Sequence, residues 1–131
     1  MNILGDMTSR ISELVIDCAD PDLLAQFWSA VLGYVELGRE DGWIEIGPPD
    51  GAFGGPQPTI LLSPSTDPRR GKLRLHIDVN PVDADQDAEL ERLLALGATR
   101  ADVGQTGEES WHVLADPEGN EFCLLRQRLE P

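Results

Sequence analysis

The sequence predicts an α+β fold made of two tandem βαβββ modules, and three observations carry that prediction. A short motif recurs in order: Ile16-Asp17-Cys18 returns as Ile77-Asp78-Val79, and Leu32-Gly33 returns as Leu96-Gly97. Each copy opens with a β-branched, apolar run and continues into a helical pattern that stops at glycine. Three short strand-like runs then fill the remainder of each half. A module of about 60 residues buries only a modest core by itself. The two halves are therefore expected to act as one domain over residues 11–129, with module 1 at about 11–63 and module 2 at about 72–129. Residues 1–10 read as a flexible leader.

Taken in order, residues 11–18 form the first strand, with Glu13, Val15 and Asp17 on one face and Leu14, Ile16 and Cys18 on the other. Asp20-Pro21 starts a helix, because aspartate accepts the first unpaired N–H groups and proline has none to lose at the first position. Leu23, Leu24, Phe27, Trp28, Val31 and Leu32 make its apolar stripe. Tyr34–Leu37 and Trp43–Ile46 are read as strands joined by a loop over 38–42, and Thr59–Leu62 as the fourth strand. The Gly- and Pro-rich loop before it carries Phe53, a candidate lid or contact residue. Ser63–Gly71 reads as a linker.

The second copy opens with a strand over Lys72–Asn80, with Arg74, His76, Asp78 and Asn80 on one face and Leu73, Leu75, Ile77 and Val79 packed inward. A helix follows Pro81 and Asp83, carries Leu90, Leu93, Leu94 and Leu96, and stops at Gly97. Strands are expected around Thr99–Val103 and Ser110–Ala115. The tight turn Asp116-Pro117-Glu118-Gly119-Asn120 feeds a last strand over Glu121–Arg126.

Composition narrows the function. The 131 residues carry 10 Lys and Arg against 24 Asp and Glu, a formal net charge of −14. Such a surface repels phosphate backbones and anionic lipid, so neither nucleic acid nor membrane is an expected partner. No apolar run approaches the roughly 20 residues of a membrane span. The start of the chain lacks a signal-peptide pattern, and a cytoplasmic protein is expected. Cys18 and Cys123 read as two buried thiols of a reducing compartment. The sequence has no GxGxxG, no phosphate loop and no zinc-type cysteine spacing, so no nucleotide cofactor is expected. Arg69, Arg70, Lys72 and Arg74 form the basic cluster, read as a solvated linker in preference to an anion site.

Three stretches together resemble the vicinal oxygen chelate superfamily, in its glyoxalase, bleomycin-resistance and dioxygenase branch. They are Leu14 to Pro21 with Phe27-Trp28 and Leu32-Gly33-Tyr34, then His76-Ile77-Asp78-Val79, then Val113 to Cys123. The resemblance spans residues 11–129 and is greatest to glyoxalase-like proteins of actinobacteria. It implies modules curled into a glyoxalase-like cup with a cavity at its centre. It also implies metal ligands on the first strand, the fourth strand, the strand opening the second module and the last strand. Those positions fall on Glu13, a place within Thr59–Leu62, His76 and Cys123. The fourth strand offers no acid, histidine or cysteine, so the usual metal complement is not expected. A divalent metal, if one is bound, would use Glu13, His76 and Cys123.

The expected function is binding or transformation of a small organic molecule. Glu13 and His76 are the candidate catalytic pair. Asp17, Trp43, Asp78, Trp111 and Cys123 are candidate substrate-binding residues. Each has a plainer role as the alternative: Asp17 and Asp78 as caps of the following turn, Trp43 and Trp111 as ordinary packing, Cys123 as an inert thiol. His112 is read as exposed or at a dimer contact. The alternative function is a metal-dependent lyase, isomerase or dioxygenase of the same superfamily. The resemblance further implies a homodimer, with Phe53, Ile60 and Trp43 as candidate contacts.

Overall fold

The computed structural model describes residues 8–51, 53–68, 71, 73–101, 105 and 107–131. It divides into two compact units, Met1–Ser65 and Thr66–Pro131. The first contains β1 (Glu13–Cys18), α1 (Pro21–Leu32), β2 (Val35–Glu40), β3 (Trp43–Gly47) and β4 (Thr59–Pro64). The second contains β5 (Ile77–Val79), α2 (Gln86–Leu96), β6 (Thr99–Arg100), β7 (His112–Ala115) and β8 (Glu121–Leu124). The sheets have the same topology, β1-β4-β3-β2 and β5-β8-β7-β6. In each, the opening strand runs parallel to the closing one and the other pairs are antiparallel. Ile16 and Ile77 thus occupy matching strands, as two βαβββ modules require.

In the first unit, the Asp20 carboxylate accepts the Leu23 N–H at 3.1 Å, and Gly33 ends α1 in the left-handed region at φ +70°. Leu24, Phe27, Trp28 and Val31 are buried on the helix, which lies over β3 and β4. Ile44, Ile46, Ile60 and Leu62 are buried on those strands. Burying each such side chain is worth roughly 1.5–3 kcal/mol, and the Phe27 and Trp28 rings meet edge to face at 5.2 Å. Ile60 is only 2% exposed. Its register opposite Ile46 and Leu14 turns it to the apolar face, so it is core and not a dimer contact. Phe53 and Trp43 are exposed.

The hairpin differs from the loop read over 38–42. β2 continues to Glu40, and the connection is the two-residue turn Asp41-Gly42, with φ of +52° and +87°. Positive φ at both central residues matches the twist of the flanking strands, and Asp-Gly is a preferred pair there. A bulge between Glu36 and Gly38 lets the edge strand run on. Arg39 ties it down through Glu36 and Asp22. Arg10, read as part of the leader, donates to the Gly54 carbonyl at 2.9 Å and belongs to the unit. Residues 1–7 lie outside the described residues.

In the second unit, Asp85 caps α2 by accepting the Ala88 N–H at 2.9 Å. Gln86 donates from the helix start to the carbonyls of Ser110 and Leu124. The opening strand is shorter than Lys72–Asn80, because among the described residues only Ile77–Val79 has a partner, Phe122–Leu124 of β8. Leu73 and Leu75 do not pack inward, and Leu75 is 76% exposed. The other two strand-like runs also shorten, to β7 and β8. β6 keeps Thr99–Arg100, and 102–104 lie outside the described residues. Arg69, Arg70 and Lys72 lie outside them too, while Arg74 is exposed.

The Asp-Pro-Glu-Gly-Asn turn has a specific physical basis. Asp116 is 2% exposed, and its carboxylate accepts the N–H groups of Glu118 at 2.9 Å and Asn120 at 3.0 Å. The Asn120 amide adds a bond at 2.9 Å. Gly119 supplies the φ of +87° that closes the turn. A buried carboxylate needs this many donors to be tolerated, and the result sets where β8 begins.

Candidate functional site

The last strand brings the second unit's polar side chains together. Parallel register places Asp78 beside Cys123, and antiparallel register places Val113 on the other side of Cys123. His76, two residues before Asp78, faces the same way, because strand side chains alternate. These residues line a concave site of about 470 Å³, with Trp111, Glu121 and Leu125 completing its wall. His76 Nε2 stands 3.4 Å from Asp78 Oδ1, the two side chains being 52% and 49% exposed. Cys123 is 9% exposed at the base and forms no disulfide. One donor atom each from His76, Asp78 and Cys123 lies within 4.8 Å of the other two. His112 pairs with Leu124 and turns to the opposite face, half-buried.

The first unit presents a carboxyl pair. Glu13 stands opposite Thr59 across β1 and β4, and the fully buried Thr59 donates its hydroxyl to Glu13 Oε2 at 2.7 Å. Glu45 reaches the same spot from β3, on the other side of β4. Its carboxyl is held above the ordinary range, first by a hydrogen bond with Glu13, then by burial and by the Glu13 charge; the Thr59 hydroxyl works in the other direction. Trp43 and Glu45 share a second concave site of about 650 Å³ with Leu61 and residues 38–41. Asp17 is exposed on the Glu13 face, opposite Ser63.

Four of the seven sequence-derived candidates, His76, Asp78, Trp111 and Cys123, thus stand together in the second unit. Glu13, Asp17 and Trp43 belong to the first. Sequence reading missed Glu45 and Thr59. Alternation from Trp43, already read as a wall residue, puts Glu45 on the same face and was the available signal. For a metal, the fourth-strand position offers only Thr59, Ile60, Leu61 and Leu62. Glu13 is engaged by Thr59 and Glu45. Among the described residues, His76, Asp78 and Cys123 are the group whose donor atoms, an imidazole, a carboxylate and a thiol, stand close enough together to hold an ion.

Comparison with known proteins agrees with the fold. A glyoxalase-like domain family model matches residues 13–125. No curated protein sequence matches the chain. A glyoxalase/bleomycin resistance protein/dioxygenase family enzyme from Burkholderia phytofirmans PsJN is similar in structure, at 21% identity and a TM-score of 0.64, covering 88% of this chain and 97% of that one. The fosfomycin resistance protein FosX from Mesorhizobium loti is similar at 17% identity and a TM-score of 0.68, covering 94% and 96%. A FosX variant from Listeria monocytogenes, complexed with Mn(II) and 1S,2S-dihydroxypropylphosphonic acid, is similar at 18% identity and 0.67, covering 94% of each chain. With a family match across most of its length and the module topology of these structures, the chain belongs to the glyoxalase-like domain family of the vicinal oxygen chelate superfamily.

Proposed function

We propose that the protein binds or transforms a small organic molecule on the concave face of the second unit. The supporting observation is the convergence of His76, Asp78 and Cys123 beside Trp111. A volume of about 470 Å³ suits a small ligand. The indole of Trp111 offers a flat apolar wall, and the polar trio offers hydrogen bonds and a proton-transfer group. In this reading His76 gives or takes the proton. Asp78 orients its ring by accepting a ring N–H. Glu13 and Glu45 serve as a second acid–base pair in the first unit, with Asp17 and Trp43 on the same face as further ligand contacts. The reaction class is that of a lyase or isomerase, with dioxygenase chemistry as the alternative. The protein works in the cytoplasm as a homodimer, with Phe53 and Trp43 as exposed apolar candidates for the contact.

The test is thermal-shift screening of the purified protein against a library of small aromatic and polar organic molecules. A ligand at 100 times its Kd adds about 2.7 kcal/mol of stability. Ligands found this way should lose most of their shift in Trp111→Ala and His76→Ala. Shifts that survive both substitutions would place the ligand elsewhere and overturn this assignment.

A further inference from the structure

We propose that Cys123 is a nucleophile, served by His76 and Asp78, that adds to the conjugated double bond of a planar α,β-unsaturated carbonyl compound on the concave face of the second unit. The inference deepens the proposed function by naming a ligand class, and it rests on that reading. A covalent adduct is read separately from reversible binding, so the two fail separately.

A nucleophilic thiol needs an imidazole within reach, and the imidazole needs a third group to orient it. Strand register supplies all three. Cys123 sits on β8, with Asp78 beside it on β5 and Val113 beside it on β7. His76 faces the same way two residues before Asp78, and its Nε2 stands 3.4 Å from Asp78 Oδ1. One atom each of the imidazole, the carboxylate and the thiol lies within 4.8 Å of the other two. With one ring nitrogen turned to Asp78, the other takes the thiol proton. The His76 side chain is 52% exposed and has room to close the remaining gap, a tightening that ligand binding commonly brings. Cys123 is 9% exposed and lines the cavity with Trp111, so a narrow planar molecule reaches it. Cys18 is the contrast. It is 4% exposed, its thiol donates to the Ser63 carbonyl at 3.7 Å, and neither of the chain's histidines belongs to its unit.

The place of Cys123 in the sheet selects the electrophile. Attack on an ester or thioester puts negative charge on an oxygen of the attacked carbon itself, which needs N–H donors aimed at it beside the nucleophile. β8 lies inside its sheet, paired with β5 on one side and β7 on the other. The backbone N–H groups around Cys123 are therefore committed to the two ladders. A conjugated double bond makes no such demand. Its displaced electron pair moves to the carbonyl oxygen at the far end of the conjugated system, where the half-exposed rim of the site lets water solvate it. The step balances without a co-reactant. The thiol proton passes to His76 as the sulfur–carbon bond forms at the β-carbon. The double-bond pair becomes an enolate, and the His76 imidazolium returns the proton to the α-carbon. The product is a thioether, and His76 ends neutral. Trp111 supplies a flat wall for the planar system to stack on, with Val113 and Leu125 as further apolar surface.

The experiment incubates the full-length protein with benzylideneacetone, a planar aryl enone, in buffer containing a chelator, and follows intact mass and then peptide mapping. The expected result is a single adduct with the mass of the whole enone, on Cys123 and not on Cys18. It should form at least about tenfold faster than the adduct of N-acetylcysteine in the same buffer. His76→Ala should slow it by about a hundredfold to ten-thousandfold, the span of general-base help. Asp78→Asn should lower the limiting rate at saturating enone, a loss that weaker binding alone does not produce. Circular dichroism checks the fold of each variant, and mapping of the parent needs no variant at all. Absence of an adduct on Cys123 in the parent would overturn the proposal, as would modification of Cys123 and Cys18 at equal rates. A folded His76→Ala variant that reacts within about twofold of the parent would also overturn it. Reversible ligands that depend on Trp111 and His76, beside an unreactive Cys123, would overturn this inference and leave the proposed function standing.

Discussion

Replacing Asp116 by alanine tests the link between the Asp-Pro-Glu-Gly-Asn turn and the placement of Cys123. The carboxylate accepts two backbone N–H groups and the Asn120 amide at 2.9–3.1 Å, at 2% exposure. Hydrogen bonds to a charged group are worth roughly 1.5–3 kcal/mol each. They do not add fully, because Glu118 and Asn120 are half-exposed and water replaces part of what is lost. Removing the carboxylate also relieves the cost of burying its charge. The net loss should be about 3 kcal/mol, a large fraction of the roughly 5–15 kcal/mol that holds a domain folded. Urea unfolding at 25 °C followed by circular dichroism should show the midpoint falling by about 1.5 M, for a slope near 2 kcal/mol/M. Cys123, which follows the turn into β8, should react faster with a thiol reagent while Cys18, in the other unit, keeps its rate. A stability loss below about 1 kcal/mol would refute the reasoning, as would equal acceleration of both thiols.

Glu45→Gln should raise stability at pH 7 by roughly 0.2–1 kcal/mol, the scale of like charges placed together on a sheet. Because the folded protein holds the Glu45 proton more tightly than the unfolded chain, the parent loses stability as pH rises from the ordinary carboxylate range through the raised value. The variant lacks that decline, so a pH-independent difference between the two would contradict it. Gly42→Ala should cost about 1–2 kcal/mol in thermal unfolding, since φ is +87° and the new Cβ would meet Pro64 Cγ at 3.3 Å. No measurable change would show that the turn relaxes freely. Arg39→Ala should leave thermal unfolding nearly unchanged despite two ion pairs, because all three side chains are solvent-exposed and such pairs contribute little. A larger loss would show that the edge strand depends on that clamp.

Much of the fold was legible because the signals were local. Asp20-Pro21 and Gly33 mark both ends of α1, and the turn from Asp116 to Asn120 marks the start of β8. Strand lengths were less legible, because alternation continues past the last paired residue. Leu73 and Leu75 fit the β pattern, yet among the described residues no strand pairs with them. Ile60 looked available for a partner until its register turned it inward. On the candidate site, His76, Asp78 and Cys123 were each visible as residue types on strand faces. Their convergence depends on parallel pairing of β5 with β8, a contact between distant parts of the chain that spacing alone does not encode. Glu45 was hidden for the same reason, since it meets Glu13 only across β4.

The central claim is that the chain's chemistry gathers on one face of the second unit, at His76, Asp78 and Cys123. Isothermal titration calorimetry of a screened small organic ligand against the parent protein and against Asp78→Asn and Cys123→Ser tests it most directly. The account predicts at least about tenfold weaker binding in both variants than in the parent, roughly 1.4 kcal/mol or more. Binding of parent strength in both variants would contradict it.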